Sequence, residues 1–202
     1  MLEARNDGSS RWICCATSDS VASGFEILML RNDPARGVDV TEDVIDAESP
    51  QDYVARVSLE KGAFAWNMVR TRHLTPRPVL SAVTTVTMNG IILGKPAGQA
   101  EAIAMLEQLS GRTHEVLTSI AVHYRDFAEQ VTQVSQVRFA TLSPAAIRAY
   151  CATSEPYDKA GGYGIQGMAA LFVEHIEGSH SGIMGLPLYE TAALLRKAGL
   201  SI

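Results

Sequence analysis

The stretch Val79–Leu93, VLSAVTTVTMNGIIL, decides the fold. Val79–Val86 is an apolar and β-branched run, which reads as a buried strand. Asn89-Gly90 follows, and both residue types tolerate the positive φ of a two-residue hairpin turn. Ile91–Leu93 then reads as a short returning strand. A hairpin makes its strands antiparallel, so a sheet built around this stretch is mixed rather than purely parallel.

Working outward, the upstream segment Ser49-Pro50-Gln51-Asp52 is a helix start, with Ser as N-cap, Pro in the first turn and an acid near the positive end of the dipole. The spacing predicts a helix to about Arg72, with Val54, Val57, Lys61, Phe64 and Met68 on one side. Further upstream, Arg11–Thr17 reads as a strand, Phe25–Leu30 as a helix cut short by RNDPARG, and Val38–Val40 as a short strand. Downstream, Gln99–Leu109 reads as a helix with Gly111 after its end. Thr113–Tyr124 and Gln130–Leu142 alternate like strands around a polar turn at Arg125–Glu129. Ser143-Pro144 opens a helix through about Thr153, Ala169–Ile176 reads as a strand, and Pro187–Ala198 as the last helix. Strands interleaved with helices indicate an α/β fold. Residues 1–10 read as a disordered polar tail and residues 11–202 as a single domain.

The 202 residues carry a formal net charge of −5, which removes any global electrostatic case for nucleic-acid binding. A small anionic ligand would need a local positive pocket. No apolar run approaches the roughly 20 residues of a membrane span, and MLEARNDGSSR lacks the apolar core of a signal peptide. Three cysteines make an odd count, and Cys14 and Cys15 alternate faces if they lie in a strand. That usage fits a reducing cytoplasm, and no zinc spacing is present.

The chemistry concentrates in Asp158–Gly167, DKAGGYGIQG. Glycines let backbone approach a ligand closely. Gln166 can donate and accept at once, which suits the edge of a base. Asp158 and Lys159 suit a metal and a phosphate. A Gly-rich loop ahead of a buried strand is an equally good reading of composition alone. Lys95, held extended by Pro96, reads alone as an exposed turn lysine. His114, within Ser110–Glu115, reads as a maker of local hydrogen bonds, without partners at metal-ligand spacing.

Taken together, LGKP at Leu93–Pro96, LSGRTHEV at Leu109–Val116, ESPQDYVARVSLEK at Glu48–Lys61, DKAGGYGIQG at Asp158–Gly167 and GLPLYETAALL at Gly185–Leu195 resemble the motifs of the Maf family, in the same order. These are the septum-formation-like nucleoside triphosphate pyrophosphatases, and the resemblance covers about residues 38–200. It implies a twisted mixed sheet flanked by helices, with two lobes around a cleft, akin to inosine triphosphatase-like proteins. It further implies hydrolysis of a nucleoside triphosphate to monophosphate and pyrophosphate, a divalent Mg²⁺ or Mn²⁺ ion, and a homodimer. By the same resemblance Lys95 contacts phosphate, Lys61 faces the active site, and Glu42 serves metal or phosphate geometry. Asp158, Lys159, Ser18 and Ser20 would contact substrate. Thr84 and the Gly164-Ile165-Gln166-Gly167 segment match the branch acting on dTTP and UTP, so Thr84 and Gln166 are implied to select the base.

The chain departs from the family pattern at two places. Where the family reads A-D-T, with the Asp as catalytic carboxylate, this chain has Ala82-Val83-Thr84. A valine neither binds metal nor takes a proton, and loss of a general base costs about 10²–10⁴-fold. The N-terminal S-x-S-P-R-R motif is matched by Ser18-Asp19-Ser20-Val21-Ala22-Ser23, which keeps the serines and lacks the Pro and both arginines. Two function classes follow: a pyrophosphatase for dTTP/UTP-type nucleotides, slowed by Val83, or a non-catalytic nucleotide-binding paralogue with a regulatory, division-linked role.

Overall fold

The computed structural model describes residues 11–17, 25–31, 40 and 42–201, with side chains from residue 40 onward. The first strand, β1, is Arg11–Thr17 and pairs antiparallel with β2, Phe25–Arg31. The apolar run at residues 25–30 is therefore a strand and not a helix. A short apolar stretch carries no period of its own, and the partner strand decides. The strand expected at Val38–Val40 and the tail expected at residues 1–10 lie outside the described residues, apart from the buried Val40.

Helix α1 is Pro50–Thr71. Its start is set by Ser49, whose hydroxyl accepts from the Asp52 N–H at 3.1 Å. The buried stripe is Tyr53, Val54, Val57, Ser58, Gly62, Ala65 and Val69. It begins as the sequence predicts and then drifts by one position, so Phe64 and Met68 are only half-buried. A straight helix of 3.6 residues per turn produces such a drift.

The centre of the sheet is β3, Val79–Met88, paired with β4, Ile91–Leu93, through the Asn89-Gly90 turn. Both turn residues have positive φ. Helix α2 follows at Gln99–Leu109. Strands β5, Thr113–Tyr124, and β6, Phe127–Phe139, form a long hairpin. Its turn is shorter than expected: Arg125 adopts φ 55°, which lets Phe127 rejoin the sheet at once. Helix α3 is Pro144–Cys151, capped by Ser143. Strand β7 is Val173–Glu177, α4 is the single turn His180–Ile183, and α5 is Leu188–Lys197.

The sheet order is β2-β1-β3-β5-β6-β7, with β4 added beside β3. A sheet flanked by helices is the α/β architecture expected. The described strand pairs are all antiparallel, rather than of mixed sense. Alternation along β3 and β5 sorts the core. Val79, Val83 and Leu117 join α1 residues in one apolar cluster. Val86, Met88, Val116, Val137 and Phe139 pack with α2 and α3 on the opposite face, and Leu80, Ile120 and Val122 pack with α5. Among the described residues no helix is long and apolar enough to cross a membrane.

Candidate active site

On the face of the sheet covered by α2 and α3, a cavity of about 480 Å³ opens beside β3. Thr84, Lys95, Asp158, Lys159 and Gln166 all line it. These five candidates come from three separate stretches of chain. Thr84 projects from β3 opposite Thr118 of β5, and the two hydroxyls lie 2.8 Å apart. Lys95 follows β4, immediately ahead of Pro96.

The Asp158–Gly167 segment is a chain of tight turns, with 3-10 turns at Glu155–Asp158 and Ala160–Gly162. The Gly161 N–H donates to the Gly94 carbonyl at 3.0 Å. That bond docks the Asp158-Lys159 turn onto the Lys95 turn, so both lysines serve one cavity. Gly161 has φ 69°, and a Cβ there would press on the Val86 side chain. Only glycine fits that conformation and that gap.

Lys159 Nζ lies 2.8 Å from Asp158 Oδ1, with both side chains about two-fifths exposed. An ion pair so exposed is worth little and exchanges readily for a stronger anion. The Gln166 amide N–H donates to Met184 Sδ. A thioether is a weak acceptor, so this amide gives up its contact cheaply to a better one.

Three candidates lie elsewhere. Lys61 Nζ pairs with Glu42 Oε1 at 3.2 Å. Tyr53 Oη donates to the Glu42 carbonyl at 3.0 Å, which fixes that segment over α1. Val83 is buried in the apolar cluster under α1, on the side of β3 away from Thr84. Lys61, Glu42 and Val83 thus belong to the α1 side, and the cavity residues to the other. Ser18 and Ser20 lie outside the described residues.

His114 is a structural group, but its hydrogen bond is not the local one expected from its sequence setting: the partner is Tyr163. His114 is buried, its Nε2 lies 2.7 Å from Tyr163 Oη, and burial pushes its pKa down to about 4. Burial likewise pushes the Tyr163 phenol up. Glu155 also lines the cavity and was not signalled by the sequence, where it reads as an ordinary acid before Pro156.

Among the described residues no cluster of three His, Cys, Asp or Glu side chains has the geometry of a metal site. A nucleotide-borne Mg²⁺ needs only one or two protein carboxylates, because phosphates and waters complete its shell. Asp158 fits that demand, since only its Oδ1 is engaged by Lys159. Glu42 offers a second carboxylate on the α1 side.

The family model described as Maf-like protein matches residues 25–198. A dTTP/UTP pyrophosphatase of Ralstonia nicotianae is 49% identical over 179 residues, covering 88% of this chain and 86% of the relative. Proteins of the same name from Nitrosomonas europaea and Dechloromonas aromatica are 44% and 42% identical. Those two alignments cover 87% and 90% of this chain, and 85% and 90% of the relatives. With its motifs in register and its sheet and helices in place over this span, the chain belongs to the Maf-like protein family.

Proposed function

We propose that this chain is a nucleoside triphosphate pyrophosphatase acting on dTTP/UTP-type nucleotides, at a rate lowered by Val83. The observation that carries this reading is the convergence of Thr84, Lys95, Asp158, Lys159 and Gln166 on one cavity. Its volume suits a small-molecule ligand. The relatives named dTTP/UTP pyrophosphatase support the substrate class.

The reaction adds water to the α-phosphorus, breaks its bond to the bridging oxygen of the β-phosphate, and releases pyrophosphate. Lys95 and Lys159 offset the charge of the phosphates, as cationic clamps do in phosphoryl transfer. Gln166 and Thr84 meet the base. A divalent ion, Mg²⁺ or Mn²⁺, would supply further charge neutralisation when bound. Asp158 is the carboxylate of this cavity proposed to hold it; the family resemblance also implies Glu42, which lies on the α1 side beside Lys61. Lys61, Glu42 and position 83 lie on the α1 side of β3, away from this cavity, and their proposed part in the reaction rests on the family resemblance alone. Ser18 and Ser20 are proposed substrate contacts by family position. A cytoplasmic setting accords with Cys151 being a buried free thiol.

The weak point of the site is the proton acceptor. A valine at position 83 cannot take the proton of the attacking water, and such a loss costs about 10²–10⁴-fold. The test is pyrophosphate release from UTP and dTTP with Mg²⁺ or Mn²⁺, comparing the native chain with Val83→Asp. Slow release by the native chain and faster release by the variant is the expected result. If neither releases pyrophosphate while UTP still raises the melting temperature, the chain binds nucleotide without hydrolysing it, and the enzymatic reading falls.

A further inference from the structure

The loop that carries Gln166 is clamped by two residues that the proposed chemistry does not use. Glu155 Oε1 accepts from Tyr150 Oη at 2.9 Å and from the Ala169 N–H at 3.3 Å. Glu155 Oε2 accepts from the Met168 N–H at 2.9 Å. Tyr150 Oη accepts in turn from the Gly164 N–H at 3.3 Å. Backbone donors on both sides of Gln166 therefore end on one Tyr150–Glu155 relay.

The relay is rigidly seated. Tyr150 is 2% exposed and packs edge-on against Phe172, with ring centroids 5.2 Å apart. Gly167 closes the clamp from above, because a Cβ there would occupy the space of the Glu155 carboxylate. The backbone around Gln166 is thus held, and its side chain is the part left to meet a ligand. Glu155 itself already accepts three donors, so it is not a spare carboxylate to replace the one missing at Val83.

What such a clamp does follows from the chemistry of amides. Uracil and thymine present a carbonyl beside a ring N–H, whereas cytosine presents an amine beside a bare ring nitrogen. A glutamine amide has a donor end and an acceptor end of nearly the same shape. Free to swing, it would serve either base by turning over. Discrimination requires the amide to stay one way round, and the clamped loop holds it where its N–H end faces Met184 Sδ, an atom with no proton to give the amide oxygen of the turned-over form.

We infer that Tyr150 and Glu155 are positioning residues that set the choice of uracil and thymine over cytosine, by clamping the loop of Gln166. The inference rests on the nucleotide reading given above.

The test measures binding, so that Val83 does not enter. Dissociation constants for UTP and CTP are taken by calorimetry on the native chain, Tyr150→Phe, Glu155→Gln and Ser58→Ala. Ser58 is a buried serine bonded to Ser119 at 2.8 Å on the α1 side. It controls for general loosening. The native chain is expected to prefer UTP, and the preference to fall about tenfold in Tyr150→Phe and Glu155→Gln, the change that corresponds to one well-formed hydrogen bond. Ser58→Ala is expected to keep the native ratio. If the native chain prefers UTP and both relay variants keep that preference, or if it binds UTP and CTP alike, the clamp is overturned while nucleotide binding stands. If the native chain binds no nucleotide, the nucleotide reading itself falls and the clamp falls with it. Should one variant fail to fold, the other decides.

Discussion

Val83 and Thr84 are consecutive residues of β3 that face opposite sides of the sheet. Val83 sits among Val54, Val57 and Leu117 beneath α1, and Thr84 lines the cavity opposite Thr118. One residue step therefore separates a position buried in apolar packing from one that lines the cavity. The family carboxylate belongs at the buried position, so restoring it acts on stability and activity with opposite signs.

Val83→Asp is expected to lower stability by about 1–3 kcal/mol, since a carboxyl group enters an apolar cluster without an assured partner. It is expected to raise pyrophosphate release from UTP by about 10²–10⁴-fold. Urea titration and a coupled pyrophosphate assay on the same preparation report both. A folded variant with unchanged turnover would show that the missing acceptor does not act from this strand position.

The docking of the two lysine turns gives a second prediction. Gly161 bridges them through its bond to the Gly94 carbonyl, at φ 69° and against Val86. Gly161→Ala is expected to cost about 1–3 kcal/mol, from the left-handed backbone and the pressure on Val86. Because the same glycine sets Lys159 beside Lys95, affinity for UTP is expected to fall further than affinity for uridine. Competitive binding of the two ligands checks this. Equal losses for both would mean that the turn does not place the phosphate-binding cations.

Lys95→Ala and Lys159→Ala test the cations directly. Each removes one charge-assisted contact to phosphate, and each is expected to weaken UTP binding by about tenfold or more. Contacts of this type are screened by salt. The native affinity should therefore fall between low and high ionic strength, and less steeply in either variant. A salt dependence identical to that of the native chain would remove the lysine from the phosphate site.

The regular elements were largely legible in the sequence where local signals agreed. Helix α2 runs over the predicted Gln99–Leu109, and α1 begins at the predicted Ser49-Pro50 start. Phe25–Leu30 reads as a helix because a short apolar run has no distinctive period, and its strand character comes from pairing with β1. Ala169–Ile176 reads as a strand, yet Met168–Phe172 is a 3-10 turn and the strand begins only at Val173. Glu155 explains the difference: it takes the Met168 and Ala169 N–H groups that a ladder would have used. That carboxylate lies far back in sequence from its targets, so no local pattern could reveal it. Thr84, Lys95, Asp158, Lys159 and Gln166 were legible through motifs, but their meeting in one cavity depends on the Gly161–Gly94 bond. The same motifs carried no sign that Val83, Lys61 and Glu42 belong to the other side of the sheet.

Burial of His114 sets how stability varies with pH. Its pKa is about 4 in the fold against 6.5 for the free side chain, and the cause is burial. Between these values the unfolded chain binds a proton that the folded chain does not. Stability is thus full above about pH 6.5 and is lost as pH falls toward 4. The slope for one such group is at most about 1.4 kcal/mol per pH unit, or about 2 kcal/mol from pH 7 to pH 5. His123, also lowered by burial, adds in the same direction. The hydrogen bond from Arg56 holds the Glu48 carboxyl below its ordinary value of 4.5, so its stabilisation is lost only below that pH, beneath the interval from pH 7 to pH 5. His114→Gln keeps polar atoms near the Tyr163 hydroxyl but does not titrate. Urea denaturation at pH 7 and pH 5 is expected to show a smaller loss for His114→Gln than for the native chain, with a residue of the effect left to His123. Equal losses in the two proteins would mean that His114 reaches protonating solvent in the folded state, and that its contact with Tyr163 does not seal it.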